Sequence, residues 1–211
     1  MKLSREVYIQ NPCAESSLPY WKTVDMIIPE NIMIRHHRDF CEECLIHYID
    51  EPYFCLYHDL QWLHTTVFPN GFQRCDAAPA KYAAHINQCY LGTVMRASEI
   101  EAYFQHRVYD PELWIAVQDR KSGEIAATGI AELDTQVGEG ILEWIQVSPA
   151  YRGLGLGTYV VTELLQRIAA KAKFATVSGK VNNPSKPENL YRRCGFKGND
   201  VWHILRKKHG L

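Results

Sequence analysis

The sequence has 211 residues, 46% of them hydrophobic, which is enough to bury one substantial core and does not require a second independent domain. Lys and Arg total 23 and Asp and Glu total 24, so the formal net charge of -1 gives no long-range field that would attract nucleic acid or an anionic membrane. No stretch approaches the ~20 apolar residues of a membrane span, and the seven cysteines do not resemble a secreted disulfide framework, so we expect a soluble cytoplasmic protein with reduced thiols.

The predicted elements before residue 93 rest on weak patterns. Residues 32–34 and 53–60 fit strands, residues 69–71 (Pro-Asn-Gly) mark a turn, and residues 80–90 fit a helix. The sequence shows no internal repeat, and no low-complexity linker separates residues 1–92 from the rest of the chain. We therefore expect it to pack on the remainder as one body.

The next elements predict a helix followed by an antiparallel meander. The tetrapeptide 98–101 (Ser-Glu-Ile-Glu) has the pattern of a capping box, with the Ser98 hydroxyl as the cap, and predicts a helix that runs to about Arg107. Residues 113–118, 124–133 and 141–147 are β-prone runs separated by Gly-bearing turns. Three consecutive antiparallel strands are the expected result.

After the meander the hydrophobic pattern changes its period. Apolar residues recur at helical spacing over residues 156–171, which predicts a long amphipathic helix. Residues 174–181 fit a buried strand, residues 185–193 a short helix ended by Gly195, and residues 201–205 a last strand.

A glycine-rich turn, residues 152–158 (Arg-Gly-Leu-Gly-Leu-Gly-Thr), lies between the third meander strand and the long helix. Glycines let backbone N–H groups converge, and the helix start adds its positive dipole end, so the turn predicts an anion site suited to a pyrophosphate. A Walker loop would need a lysine before Thr158, and a dinucleotide fingerprint would need a glycine at Thr158 itself. The alternative is that the glycines only form a tight turn.

This turn and its surroundings resemble the GNAT acyltransferase superfamily. The family signature Gln/Arg-x-x-Gly-x-Gly/Ala is matched by Arg152, Gly155 and Gly157, and residues 190–196 (Leu-Tyr-Arg-Arg-Cys-Gly-Phe) are similar to its Leu-Tyr-x-x-x-Gly-Phe element. The resemblance covers about residues 98–207. It implies an α/β fold with a mixed, mostly antiparallel twisted sheet, splayed central strands and helices on both faces, plus an N-terminal extension.

The resemblance implies a function and a division of labour. An acyltransferase core, residues 93–211, would transfer acetyl from acetyl-CoA to a primary amine by direct attack, with no covalent enzyme intermediate and no metal. The N-terminal extension, residues 1–92, would pack on the core and shape the acceptor side. The alternative is a catalytically silent acyl-CoA sensor or a partner-binding module on the same fold. The acceptor, a small-molecule or peptide amine, stays open, and a homodimer is the favoured assembly.

The resemblance also implies which residues hold coenzyme A. The backbone of the strand at 141–147 would bind the pantetheine arm, and the glycine turn would bind the pyrophosphate. The expected coenzyme-binding residues are Ile145, Gln146, Val147, Arg152, Gly153, Leu154, Gly155, Leu156, Gly157, Thr158, Asn183 and Tyr191.

Two residues are the expected catalytic groups. Tyr191 stands at the family's usual acid position, and a phenol of pKa about 10 can protonate a departing thiolate. Glu143 is the expected general base, because alternation along a regular strand puts it on the same face as Ile145 and Val147. A bulge would disturb that parity. The alternatives for the base are Glu132, Asp134, Glu139 and a chain of water molecules.

Other groupings invite different interpretations. Residues 41–47 (Cys-Glu-Glu-Cys-Leu-Ile-His), preceded by His36 and His37, could form a metal site, but no second cysteine pair follows at the spacing of a structural zinc. We expect this segment to be structural, with Cys44 and Leu45 on the apolar side of a helix.

A Cys194 nucleophile is disfavoured, because the sequence shows no activating neighbour. Tyr53, Phe54, Tyr57, His58, Trp62 and His64 could line an acceptor pocket, although ordinary packing is favoured.

Overall fold

The computed structural model describes residues 3–24, 26–90 and 92–208. The helices are α1 (Arg5–Gln10), α2 (Pro12–Glu15), α3 (Tyr20–Thr23), α4 (Pro79–Cys89), α5 (Ala97–Ala102), α6 (Leu156–Ala169) and α7 (Pro187–Arg193). The strands are β1 (Ile32–His36), β2 (Tyr48–His58), β3 (Phe72–Arg74), β4 (Trp114–Asp119), β5 (Ile125–Asp134), β6 (Glu139–Val147), β7 (Phe174–Lys180) and β8 (Lys197–Lys207).

The strands belong to one open, mostly antiparallel sheet in the order β1-β8-β2-β7-β6-β5-β4-β3. The expected α/β fold class is confirmed. Within the described ranges, no helix is both long enough and apolar enough to cross a membrane. The chain forms two compact units, each discontinuous in sequence: a first unit of Met1–His58, Thr176–Arg192 and Phe196–Leu211, and a second unit of Asp59–Ala175 and Arg193–Gly195.

In the first unit, the last strand of the chain pairs with the earliest strands. β8 is antiparallel to β1 along one edge, with Ile34 opposite Ile204, and antiparallel to β2 along the other, with Tyr53 opposite Trp202. The sequence pattern at 201–205 predicted only the middle of β8, which is eleven residues long. Strands β1 and β2 therefore take part in the sheet, whereas the division of the chain at residue 92 stays a prediction.

In the second unit, the predicted meander is confirmed, because β5 pairs antiparallel with both β4 and β6. Helices cover both of its faces. A Cβ on Gly129 would meet Val160 and Leu164 of α6. The neighbouring Ile130 faces the opposite side, where it packs with Ile86 of α4 and Ile100 of α5. This alternation positions the end of β6 between α4 and α6.

The start of α5 differs from the sequence prediction at 98–101, which was two residues late. The N-cap is Arg96, and its backbone N–H donates to Glu99 Oε2 at 2.7 Å. The Glu99 carboxylate accepts from the backbone of the cap residue, and this half of a capping box does not need a serine or threonine at the cap. A 3-10 turn at Tyr103–Gln105 follows α5 and ends before the predicted helix end at Arg107.

Close packing of α6 on β6 makes Gly140 a sensitive position. A Cβ on Gly140 would collide with the Ile168 side chain, so Gly140→Ala should lower the free energy of unfolding by about 1–3 kcal/mol, as overpacked cores do. Urea unfolding measures the change. Combined with Ile168→Ala, which removes the atoms in collision, the loss should be smaller than the sum of the two single losses. Strict additivity would contradict the collision.

Candidate functional site

The glycine turn of the second unit joins β6 to α6 through a short, exposed loop. β6 ends at Val147, a 3-10 turn spans Pro149–Tyr151, and α6 begins at Leu156. Gly153 and Gly155, the N-cap of α6, have φ angles of +80° and +82°. Only glycine adopts this left-handed conformation without strain, which explains why glycine occupies both positions.

The turn can hold an anion at the start of α6. The first N–H groups of a helix lack partners within it, and the first helical bond here runs from the Tyr159 N–H to the Gly155 carbonyl at 3.0 Å. The N–H groups just before Tyr159 therefore point out of the helix end, where the dipole is positive. Arg152 adds a guanidinium, whose Nε donates to the Val147 carbonyl at 3.3 Å. The structure thus brings the end of β6 and the turn together.

A buried histidine fastens the loop entry to the neighbouring elements. His85 of α4 is 2% exposed, with Nδ1 2.8 Å from Thr128 Oγ1 and Nε2 2.8 Å from Ser148 Oγ. The Ser148 hydroxyl in turn donates to the Ile125 carbonyl at 2.9 Å. His85 therefore connects α4 to β5 and to the residue that follows β6.

The same network assigns the tautomer of His85. Gln146 Nε2 donates to Thr128 Oγ1, which leaves the threonine hydroxyl to donate to Nδ1. Since the Ser148 proton is used on a carbonyl, Nε2 carries the ring proton and donates to Ser148. Burial lowers the pKa of His85 to about 4, in agreement with a neutral ring. The Gln146 side chain lies inside this network, and its expected coenzyme contact stays a prediction.

His85 should make the stability of the protein depend on pH. Between the ordinary pKa of 6.5 and the folded value of about 4, the unfolded chain binds a proton that the folded chain does not. The free energy of unfolding should therefore fall by about 2 kcal/mol from this group when the pH drops from about 7 to 5. Urea unfolding of wild type and His85→Gln at both pH values tests this. The His85→Gln variant should lose less stability between the two pH values than wild type does; equal losses in both proteins would refute the assignment.

Strand β6 carries the other expected coenzyme residues of this unit. The Tyr90 hydroxyl donates to the Ile145 carbonyl at 3.0 Å, and burial raises the pKa of Tyr90 to about 12, so this donor keeps its proton. Ile145 pairs with Gly129 and Val147 with Ala127 of β5. The sequence did not predict the roles of His85 and Tyr90. Nothing in its pattern distinguishes these two residues from the other members of the nine histidines and twelve tyrosines.

A β-bulge at Glu143 changes the parity on which the choice of base rested. Trp144 is opposite Ile130 and Leu142 is opposite Ala131, so Glu143 is the extra residue of β6. The argument that alternation aligns Glu143 with Ile145 is therefore wrong across this point. Burial, followed by the charge of Glu143, raises the pKa of the Tyr103 hydroxyl. The role of Glu143 as base stays a prediction.

The alternative carboxylates occupy buried positions on β5 and β6. Asp134 is held by both ends of the Arg107 guanidinium, at 2.7 and 3.0 Å, so its two oxygens are already engaged. Glu132 lies 3.7 Å from His106 Nδ1, and Glu139 is paired with Asp134 in the ladder. Glu132 therefore lies beside a histidine side chain.

In the first unit, α7 and the turn before it carry the remaining expected residues. Tyr191 is 6% exposed, and its ring centroid lies 6.2 Å from that of Phe54 and 5.8 Å from that of Phe196. Asn183 Oδ1 accepts from the Ser185 N–H at 2.9 Å and from its hydroxyl at 2.8 Å. Asn183 thus organises the turn that leads into α7, and its contact with coenzyme stays a prediction.

The cysteine groupings do not form an evident reactive centre. Residues Glu42–Ile46 form a 3-10 helix, and Leu45 is 41% exposed, so its expected place on a buried face is wrong. Cys41 and Cys44 have sulfurs 3.5 Å apart, and in the described part of the chain no group of three His, Cys, Asp or Glu side chains is arranged to hold a metal ion. Burial raises the pKa of the Cys194 thiol, the opposite of what a nucleophile needs.

The protein has an α/β fold in which a glycine turn leads into the long helix α6. Residues 110–198 match a family model described as an acetyltransferase (GNAT) domain. That segment, which is less than half of the chain, is similar to the GNAT acetyltransferase domain. No curated protein sequence matches it.

Solved structures share this fold at low sequence identity. A GCN5-related N-acetyltransferase from Sphaerobacter thermophilus has a TM-score of 0.67 and 17% identity, over 85% of this chain and 61% of that one. A tandem GNAT protein from the clavulanic acid biosynthesis pathway has a TM-score of 0.60 and 16% identity, over 78% and 56%. A putative GNAT-family acetyltransferase from Novosphingobium aromaticivorans has a TM-score of 0.53 and 15% identity, over 87% and 70%. The chain thus spans less than two thirds of the first two proteins.

Proposed function

We propose that this protein transfers an acyl group, most simply acetyl, from an acyl-coenzyme A to a primary amine. The observation that carries the proposal is the glycine turn at the start of α6, which lies inside the segment that matches the acetyltransferase domain. An exposed turn whose N–H groups converge on a positive helix end suits the pyrophosphate of coenzyme A. Arg152 beside it supplies a counter-charge.

The pantetheine arm would lie along β6 and leave its thioester near the bulge at Glu143. A bulge interrupts the regular ladder and re-aims the backbone, so that N–H groups there can face a thioester oxygen. Such donors stabilise the oxyanion of a tetrahedral intermediate. Tyr90, through its bond to the Ile145 carbonyl, would hold this part of β6 in place.

The reaction would proceed by direct attack. The amine loses a proton to a base, attacks the thioester carbonyl and forms a C–N bond, and the C–S bond breaks as the oxyanion collapses. The coenzyme leaves as a thiolate and takes a proton from Tyr191. Glu143, acting directly or through water, is the proposed base, and Glu132 is its nearest rival because Asp134 is engaged by Arg107. No metal is required for these steps.

An acceptor screen tests the proposal. Purified protein is incubated with acetyl-CoA and a panel of small amines, amino acids, peptide N-termini and lysine peptides, while free thiol release is followed. Turnover that depends on one acceptor class supports the enzyme. Tight coenzyme binding by calorimetry without thiol release across the panel would favour the silent acyl-CoA sensor, and absence of binding would reject both.

A homodimer and a cytoplasmic location stay predictions.

A further inference from the structure

Two buried thiols of the first unit lie against each other. Cys13 on α2 and Cys55 on β2 have sulfur atoms 2.8 Å apart, although they are separated by 42 positions in the sequence. That separation is only about 0.8 Å longer than an S–S bond of about 2.05 Å. Cys13 is 2% exposed and Cys55 is 8% exposed. The fold has thus already brought two distant thiols close to bonding distance.

The helix that carries Cys13 is also fixed to the sheet by hydrogen bonds. The Trp202 indole N–H donates to the Cys13 carbonyl at 2.7 Å, and the Arg38 guanidinium donates to the Ala14 carbonyl at 3.4 Å. α2 has only four residues, too few to be stable by itself. The position of α2 therefore depends on three contacts: the bond from Trp202 of β8, the bond from Arg38 in the segment after β1, and the thiol pair.

The chain that follows α2 forms one wall of a pocket. The pocket has a volume of about 430 Å³, and Ser17, Leu18 and Met26 line it on this side. Cys55 itself, with Tyr53 and Trp202 of the sheet, also lines this pocket. A covalent bond between Cys13 and Cys55 would thus join the helix that precedes Ser17 and Leu18 to a sheet residue of the same pocket lining.

We propose that Cys13 and Cys55 are a redox-dependent disulfide site that fixes the N-terminal segment over this pocket. The two thiols lose two protons and two electrons as the S–S bond forms, and a low-molecular-weight disulfide such as oxidised glutathione accepts them by cleavage of its own S–S bond into two thiols. Because both sulfurs are buried, α2 must lift for the exchange to start. In the reduced form the pair is a thiol–thiol contact, and in the oxidised form it closes a loop between α2 and β2.

The test uses the full-length chain with Cys41→Ser and Cys44→Ser, since those two thiols are more exposed and only 3.5 Å apart. The protein is refolded in a glutathione redox buffer, alkylated, and digested without reduction. Mass spectrometry should find the peptides of Cys13 and Cys55 joined, with two fewer free thiols than in the reduced sample. Joined peptides that involve another cysteine, or five free thiols per chain after oxidation, would overturn the proposal.

Variants and melting temperature separate the bond from general oxidation. Cys13→Ser and, independently, Cys55→Ser should each abolish the joined peptides, whereas Cys194→Ser, which removes another buried thiol, should leave them unchanged. The oxidised chain should melt about 5–10 °C higher than the reduced chain, because the bond restricts a long loop of the unfolded state. Identical melting of the two forms would show that the bond does not fix the segment.

Discussion

Replacing Tyr191 with phenylalanine should lower kcat by about 10²–10⁴, the usual contribution of a general acid, while the affinity for acetyl-CoA changes little. The substitution deletes the proton that we assign to the departing thiolate. The ring stays in place between Phe54 and Phe196, so the apolar packing of α7 is preserved. Steady-state rates with the acceptor found in the screen, together with calorimetry for acetyl-CoA, measure the two quantities separately.

A matched control distinguishes the acid from an ordinary buried tyrosine. Tyr82→Phe removes a hydroxyl from another buried tyrosine, which packs edge-on to Trp114, and should leave kcat unchanged. Both variants must be melted, because a lost buried hydrogen bond costs about 1 kcal/mol and can imitate a catalytic defect. If Tyr191→Phe is stable and keeps its kcat with chemistry rate-limiting, then the thiolate leaves unassisted or is protonated by water.

Replacing Gly155 with valine should weaken coenzyme A binding by about 10–100-fold. The residue has φ +82°, and a β-branched side chain resists that conformation at a cost of about 1–2 kcal/mol or more. Relief of the strain would turn the peptide N–H groups at the start of α6 away from the pyrophosphate. Calorimetric titration with coenzyme A measures the loss, at about 1.4 kcal/mol for each tenfold change.

The control for this variant carries the same backbone strain elsewhere. Gly123 has φ +75° in the turn between β4 and β5, and a Cβ there meets nothing within 4 Å. Gly123→Val should therefore cost comparable stability while coenzyme A binds as it does to wild type. Wild-type affinity in Gly155→Val would remove the turn from the proposed coenzyme site, whereas equal losses in both variants would show that strain alone weakens binding.

Local chemistry explains which elements could be predicted from the sequence. The helix α6 follows from apolar residues at 3.6-residue spacing after a glycine turn, and the meander follows from β-prone runs divided by glycines. These patterns depend on residues that are neighbours along the chain. The glycine turn at 152–158 could be predicted for the same reason, since its glycines and the helix after it are contiguous, whereas its binding of a phosphate stays a prediction.

The missed features depend on contacts between distant residues. The pairing of β1 and β2 with β8 leaves no local pattern, and β-pairing partners are set by tertiary packing. The bulge at Glu143 is a register shift that only the neighbouring strand reveals. His85 gains its role from Thr128 and Ser148, which are 43 and 63 positions away. The cap at Arg96 was missed because its backbone N–H, which any residue except proline has, donates to the Glu99 carboxylate.

The insertion of β8 between β1 and β2 has a consequence for how the protein is made. A ribosome makes β1 and β2 well before β8, the strand that pairs with both, so the edges facing β8 stay unpaired until β8 emerges. Most of the second unit, Asp59–Ala175, is continuous in sequence and can assemble in the meantime. A premature stop before Lys197 would leave two strands without their common partner, and such chains should be selectively captured by chaperones or aggregate.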